Sequence, residues 1–302
     1  MSIDLFDDEM LEPEPPRRER PPREPQQRRK RGSGGKRGSG ETAKRVLVAL
    51  PWIAFAIAIT VAGGPVFAAA MIAIGIVAIR EFAAIAGRYR PLVIPACVSV
   101  AALVVAAHLG TAFNVLYVLA ASVPLLFAFA AKASHRDNAT VSLGVTLLGV
   151  VWIGVPLAHA VFLRELPDHG AALLIDVLVG TFVADTAAYA TGRMFGSHKI
   201  APNLSPNKTV EGLIGGFVIG TMGFWFAGLY QDWLSGVDAL IIGAAVAAVA
   251  PIGDLFESLL KRDLGTKDTG TLFGPHGGLL DRLDAVFFTV VVGYYLSVAV
   301  VY

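Results

Sequence analysis

From Val46 to the last residue, the chain alternates long apolar runs with short polar or glycine- and proline-containing stretches. The runs lie at about 46–62, 66–86, 91–110, 112–131, 140–163, 171–191, 210–229, 237–260 and 283–302. Each is close to the ~20 residues that a helix needs to cross a bilayer. Backbone groups in lipid must be satisfied within the segment, so helices are the natural element. The pattern predicts an all-α, polytopic integral membrane protein with about nine transmembrane helices.

Composition agrees. Of the 302 residues, 55% are hydrophobic and 16% are charged, against about 25% charged in a soluble domain. The charge is uneven: 12 of the 25 Lys and Arg precede residue 46. Residues 1–44 form an acidic and then a basic block, the latter centred on RRKRGSGGKRGSG. Such a segment buries too little apolar surface to offset ordering entropy, so a disordered cytoplasmic tail is expected before a transmembrane catalytic domain over 45–302. Net charge is +1 and singles out no partner, and no nucleic acid is expected. The single cysteine, Cys97, excludes an internal disulfide.

Orientation follows from the loop cations. One set of alternate loops carries Arg88 and Arg90, then Lys132 and Arg136, then Arg193, Lys199 and Lys208, then Lys261, Arg262, Lys267 and Arg282. The other set carries only Arg164. The cation-rich loops share a side with the basic tail, which predicts a cytoplasmic N-terminus and an external C-terminus. The long loops at about 192–209 and 261–282 are then cytoplasmic, and any chemistry falls there or on adjoining helix ends.

In the eighth run, Pro251 and Gly253 predict a kink or break. Beyond them, Asp254, Glu257, Ser258 and Lys261 fall at i, i+3, i+4 and i+7, one helical face. Lipid would penalise such a stripe, so it faces protein, water or a ligand. Asp281 and Asp284 share a face at the start of the ninth run. Carboxylates brought together there repel, and a hard divalent cation removes that repulsion. The cations around them, Lys261, Arg262, Lys267, Arg282 and His276, suit an anionic substrate. The combination fits metal-assisted chemistry on phosphates better than a simple cation site. Glycines around Gly277 and Gly278 would let backbone N–H groups approach phosphate oxygens. Asp185, at the inner end of the sixth run, is a third carboxylate near this level. Gly212, Gly216 and Gly220 recur every four residues, as in close helix packing. Arg80 and Glu81 read as snorkelling or paired residues at a helix end, with a place in the site left open.

The stretch from Ser258 to Asp284 resembles the signature of the phosphatidate cytidylyltransferases. Ser258, Lys261, Arg262, Lys267, Asp268, Gly270, His276, Gly277, Gly278, Asp281, Arg282 and Asp284 fill its constrained positions, and the preceding GDLFES is similar to the family. The chain departs from it at Ala187, Ser197 and Asn207. The resemblance covers about 45–302. It implies transfer of a cytidylyl group from CTP to phosphatidic acid, giving CDP-diacylglycerol and pyrophosphate. It further implies a multi-pass protein of a bacterial cell membrane, with its active site on the cytoplasmic side among membrane lipids. The cofactor implied is Mg²⁺ or another divalent cation, with a second ion as an option, and a homodimer is compatible. By this resemblance Asp254 and Asp281 are the metal ligands, supported by Asp284 and Glu257. Lys261, Arg262, Lys267, His276 and Arg282 bind phosphate, and Ser258, Gly277 and Gly278 border it. Lys208, Ser205 and Asp185 are the candidates of the second loop. Two other classes fit the residues less well. A transporter would carry ionisable groups deeper into the bilayer, and a CTP-dependent polyprenol kinase would need a base for an alcohol nucleophile.

Overall fold

The computed structural model describes residues 51–132, 138–270 and 277–302. The expected tail over 1–44 and His276 lie outside the described residues. Within them the chain is almost wholly helical. In order come α1 (Pro51–Ala62), α2 (Gly64–Ile85), α3 (Val93–Leu109), α4 (Ala112–Lys132), α5 (Ala139–Arg164), α6 (Gly170–Phe195), α7 (Val210–Gly228), α8 (Gly236–Asp263) and α9 (Leu280–Val300). Each helix lies over one of the nine apolar runs. Among the described residues, seven are long and apolar enough to cross a membrane, whereas α1 and α3 are shorter apolar helices.

Two groups of helices meet along α5 and α9. On one side α2 packs on α3, and α3 on α4 and α5. On the other, α6, α7 and α8 pack on one another and α9 lies against α6 and α8. The α6–α7 contact is set by the glycine stripe. A Cβ on Gly216 would stand 2.8 Å from the Ala188 Cβ, and one on Gly220 would stand 2.6 Å from the Ala184 Cβ. The small residues therefore let the two backbones approach, as their spacing predicts. Between α6 and α9, Thr181 donates to Thr289 across a buried 2.8 Å hydrogen bond.

Three local features add to the sequence expectation. First, α8 runs as one helix from Gly236 to Asp263, through Pro251. The ring costs one hydrogen bond, and packing on α7 and α9 carries the helix past it. Second, the 192–209 loop contains an antiparallel hairpin of β1 (Lys199–Ala201) and β2 (Ser205–Thr209). Thr209 ends β2 and caps α7, accepting from the Gly212 N–H at 3.1 Å. Third, α5 contains a π-helical segment, Val150–Gly154, which places Trp152 at the centre of an aromatic cluster. Its ring meets Phe82 of α2, Phe256 of α8 and Phe287 of α9 at centroid distances of 5.9, 5.3 and 6.0 Å.

Candidate active site

The polar stripe of α8 and the first turn of α9 come together because Gly253 lets the helices touch. A Cβ there would stand 2.4 Å from the Asp284 carbonyl oxygen and 2.8 Å from the Ala285 Cα. That contact sets Asp254, the next residue of α8, beside Asp284 of α9, and Glu257 also lies near Asp284. Asp185 of α6 joins from the other side, next to Asp254 and Lys208.

Two ammonium groups organise these acids. Lys261 Nζ lies 2.7 Å from Glu257 Oε2 and 2.8 Å from Asp281 Oδ1. Both carboxylates are nearly enclosed, with side chains 2% and 9% exposed, so the ammonium is the main compensation for the lost hydration of Glu257 and one of several for Asp281. Lys208, reaching in from β2, lies 2.7 Å from Asp254 Oδ2. Asp281 is further held through Oδ2, which accepts from the Thr269 N–H at 3.0 Å, the Thr269 hydroxyl at 2.9 Å and the Gly278 N–H at 2.7 Å. The next two N–H groups, of Leu279 and Leu280, donate to Glu81 of α2, each at 3.0 Å. The glycine pair was expected to offer its amides to phosphate. Of that pair, the Gly278 N–H is held by Asp281, and the two amides after it are held by Glu81.

These groups border a polar cavity of about 520 Å³, whose walls include Asp185, Lys208, Asp254, Glu257, Ser258, Lys261, Asp268, Asp281, Arg282 and Asp284. A second cavity of about 780 Å³ adjoins it between α6, α7, α8 and the hairpin, and shares Asp185, Lys208 and Asp254. Its walls are mostly apolar, with Ser205, Lys199, Tyr189 and Arg193 on the hairpin side and the end of α6. The sequence candidates thus divide. Asp185, Ser205, Lys208, Asp254, Glu257, Ser258, Lys261, Asp281, Arg282 and Asp284 border one cavity or both. Gly277 and Gly278 hold the turn behind Asp281. Arg262 lines neither cavity and donates instead to the Leu204 carbonyl at 3.4 Å, tying the hairpin to α8. Lys267 is exposed on the loop beyond α8 and lines neither cavity.

The donor set suits a hard cation. Six carboxylates and three cations border the smaller cavity, an excess of acid. Glu257 Oε1 is buried and meets no donor among the described residues. No group of three or more His, Cys, Asp or Glu among the described residues is arranged to enclose an ion as it stands. Lys208 and Lys261 instead pair with one oxygen each of Asp254, Glu257 and Asp281.

Thr269 is not among the sequence candidates, and Glu81 is a residue whose place in the site the sequence leaves open. The available signal was a carboxylate at the end of an otherwise apolar span, which lipid would penalise.

An all-helical polytopic membrane protein with paired acids and bases in a cavity at its helix ends is the class that fold and site define. A sequence profile of the cytidylyltransferase family matches residues 43–300, and the chain belongs to that family. The phosphatidate cytidylyltransferase of Thermotoga maritima is 39% identical over 168 residues, 53% of this chain and 62% of that protein. That of Haemophilus influenzae is 40% identical over 125 residues, 40% and 43% of the two chains. The uncharacterized protein YnbB of Escherichia coli is 38% identical over 143 residues, 46% and 48% of the two. The chain therefore spans about half the length of the curated relatives it matches.

Proposed function

We propose that the protein transfers a cytidylyl group from CTP to phosphatidic acid at the cytoplasmic face of a bacterial cell membrane, giving CDP-diacylglycerol and pyrophosphate. The observation that carries this is the joining of acids from three helices with Lys208, Lys261 and Arg282 around one cavity, in a chain of the cytidylyltransferase family. The cation-rich loops support the cytoplasmic assignment.

The nucleophile is a phosphate monoester with a second pKa near 6, so it is mostly dianionic at neutral pH and needs little help from a base. The obstacle is charge: an anion must approach the α-phosphate of a polyanion. A lipid phosphate oxygen bonds to the α-phosphorus, the bond to the bridging oxygen breaks, and pyrophosphate leaves with the electron pair. Lys261 and Arg282 border the polar cavity, where their charge offsets that of the triphosphate. Lys208 stands at the junction of both cavities, within reach of either phosphate group. The apolar walls of the larger cavity suit the glycerol and first methylenes of a lipid, which would enter sideways while CTP arrives from water. Asp254 and Asp281, with Asp284 and Glu257, would hold Mg²⁺ or another divalent cation, which supplies charge neutralisation on the phosphates when bound. The protein's own part is to keep those acids oriented through Lys208, Lys261, Thr269 and Gly278.

Purified protein supplied with CTP, Mg²⁺ and phosphatidic acid is expected to release pyrophosphate and form a CDP-lipid, and to stop on chelation. Formation of CDP and a phosphorylated alcohol from a polyprenol would assign a kinase instead. Absence of either product in folded protein would remove the proposal.

A further inference from the structure

We infer that Glu81, on α2, is a positioning residue of this site. Its carboxylate holds the first turn of α9, and with it Asp281 and Asp284, in register with α8. The inference rests on the function proposed above for the rate it affects, but not for the geometry it describes.

Glu81 lines neither cavity. Its two oxygens each accept one amide: Oε1 from Leu279 and Oε2 from Leu280, both at 3.0 Å. A carboxylate across the N-terminus of a 21-residue helix satisfies amides that the helix itself leaves unpaired, and the helix dipole favours its charge. The preceding amide, of Gly278, goes to Asp281. Three consecutive N–H groups are therefore divided between an acid of the site and an acid from a helix 198 residues away in the chain. The fit leaves no slack. A Cβ on Gly270 would stand 2.6 Å from Glu81 Oε1, and one on Gly278 would stand 2.6 Å from Glu81 Oε2 and 2.5 Å from Thr269 Oγ1. Thr269 is the residue that donates twice to Asp281. Behind Glu81, Phe82 is buried against Trp152, which also meets Phe256 and Phe287, so the base of the acid is fixed to the helices that carry the site. A shift of Glu81 or of Gly270 must thus be transmitted to Asp281.

The test compares wild type, Glu81→Gln, Gly270→Ala and the double variant, as full-length protein in lipid nanodiscs. The amide in Glu81→Gln keeps the size but offers one acceptor where two amides need one each. Gly270→Ala touches the same carboxylate from the other side. Both are expected to lower kcat by about 10- to 100-fold, the loss that goes with removing hydrogen bonds to a charged group. KM for CTP and phosphatidic acid stays near the wild-type value, while the Mg²⁺ concentration for half-maximal rate rises. The double variant is no slower than the slower single, because both act through one contact. Mn²⁺ binding by substrate-free protein, followed by electron paramagnetic resonance, weakens in both variants. Wild-type kcat in both variants, additive losses, or a loss fully accounted for by the unfolded fraction would each overturn the inference. If Glu81→Gln does not fold, Gly270→Ala carries the test. If the wild type forms no CDP-lipid, the proposed function fails, and unchanged Mn²⁺ binding in the variants would then separately overturn the positioning role.

Discussion

Replacing Gly253 by Ala is a single-methyl test of how α8 and α9 build the site. The added Cβ would meet the Asp284 carbonyl oxygen at 2.4 Å and the Ala285 Cα at 2.8 Å. Both are backbone atoms, so no side chain can swing aside. Ordinary non-bonded separation is about 3.5 Å, so the helices must part by about 1 Å at this level. Overpacking of this kind costs about 1–3 kcal/mol of stability. The larger effect falls on chemistry, because Asp254 follows Gly253 directly while Asp284 itself carries the opposing carbonyl. A misplacement of about 1 Å between groups that must act together can cost on the order of 100-fold in rate. The assay is pyrophosphate release from CTP and phosphatidic acid, with thermal unfolding in the same detergent. Gly144→Ala in α5 is the control, since a Cβ there meets nothing within 4 Å. It is expected to leave both readouts within about 0.5 kcal/mol of wild type. Wild-type turnover and unfolding temperature in Gly253→Ala would refute the idea that this contact sets the site.

Other expectations follow from the ion pairs. Lys261→Met leaves Glu257 and Asp281 without their shared ammonium; with side chains 2% and 9% exposed they cannot be rescued by water. A stability loss of about 3–5 kcal/mol is expected, with loss of turnover, and chemical denaturation measures it. Lys208→Met breaks the pair with Asp254, whose partners are each about a quarter exposed. Stability should change by no more than about 1 kcal/mol, while CDP-lipid formation falls steeply. Equal effects of the two changes on unfolding would contradict the burial difference.

Much of this arrangement can be read from the sequence, and what cannot has physical reasons. The apolar runs mark the helices because lipid tolerates few other backbone forms. The spacing of Asp254, Glu257, Ser258 and Lys261 places them on one face whatever the surroundings. The hairpin around Ser205 escapes notice because its strands are three and five residues long and include Pro206, with no run of alternating apolar residues. The role of Glu81 depends on a contact between α2 and α9, far apart in the chain, and an Arg80–Glu81 pair at a span end has an ordinary explanation as snorkelling or paired residues. The glycine pair at Gly277 and Gly278 carries a signal for exposed amides but none for what accepts from them. Only the fold reveals that Asp281 accepts from Gly278, while Glu81 takes the next two amides, of Leu279 and Leu280. Arg262 sits in a dense motif, yet it lies off the cavity-lining stripe of α8, and its guanidinium turns to the hairpin.

The central claim is that acids of α8 and α9 act together in one cavity. Its most direct test is CDP-lipid formation by Asp254→Asn and Asp281→Asn proteins that retain wild-type helical content and elute as single species. Both are expected to be inactive with CTP, Mg²⁺ and phosphatidic acid. Near-normal turnover by either folded variant would contradict the account.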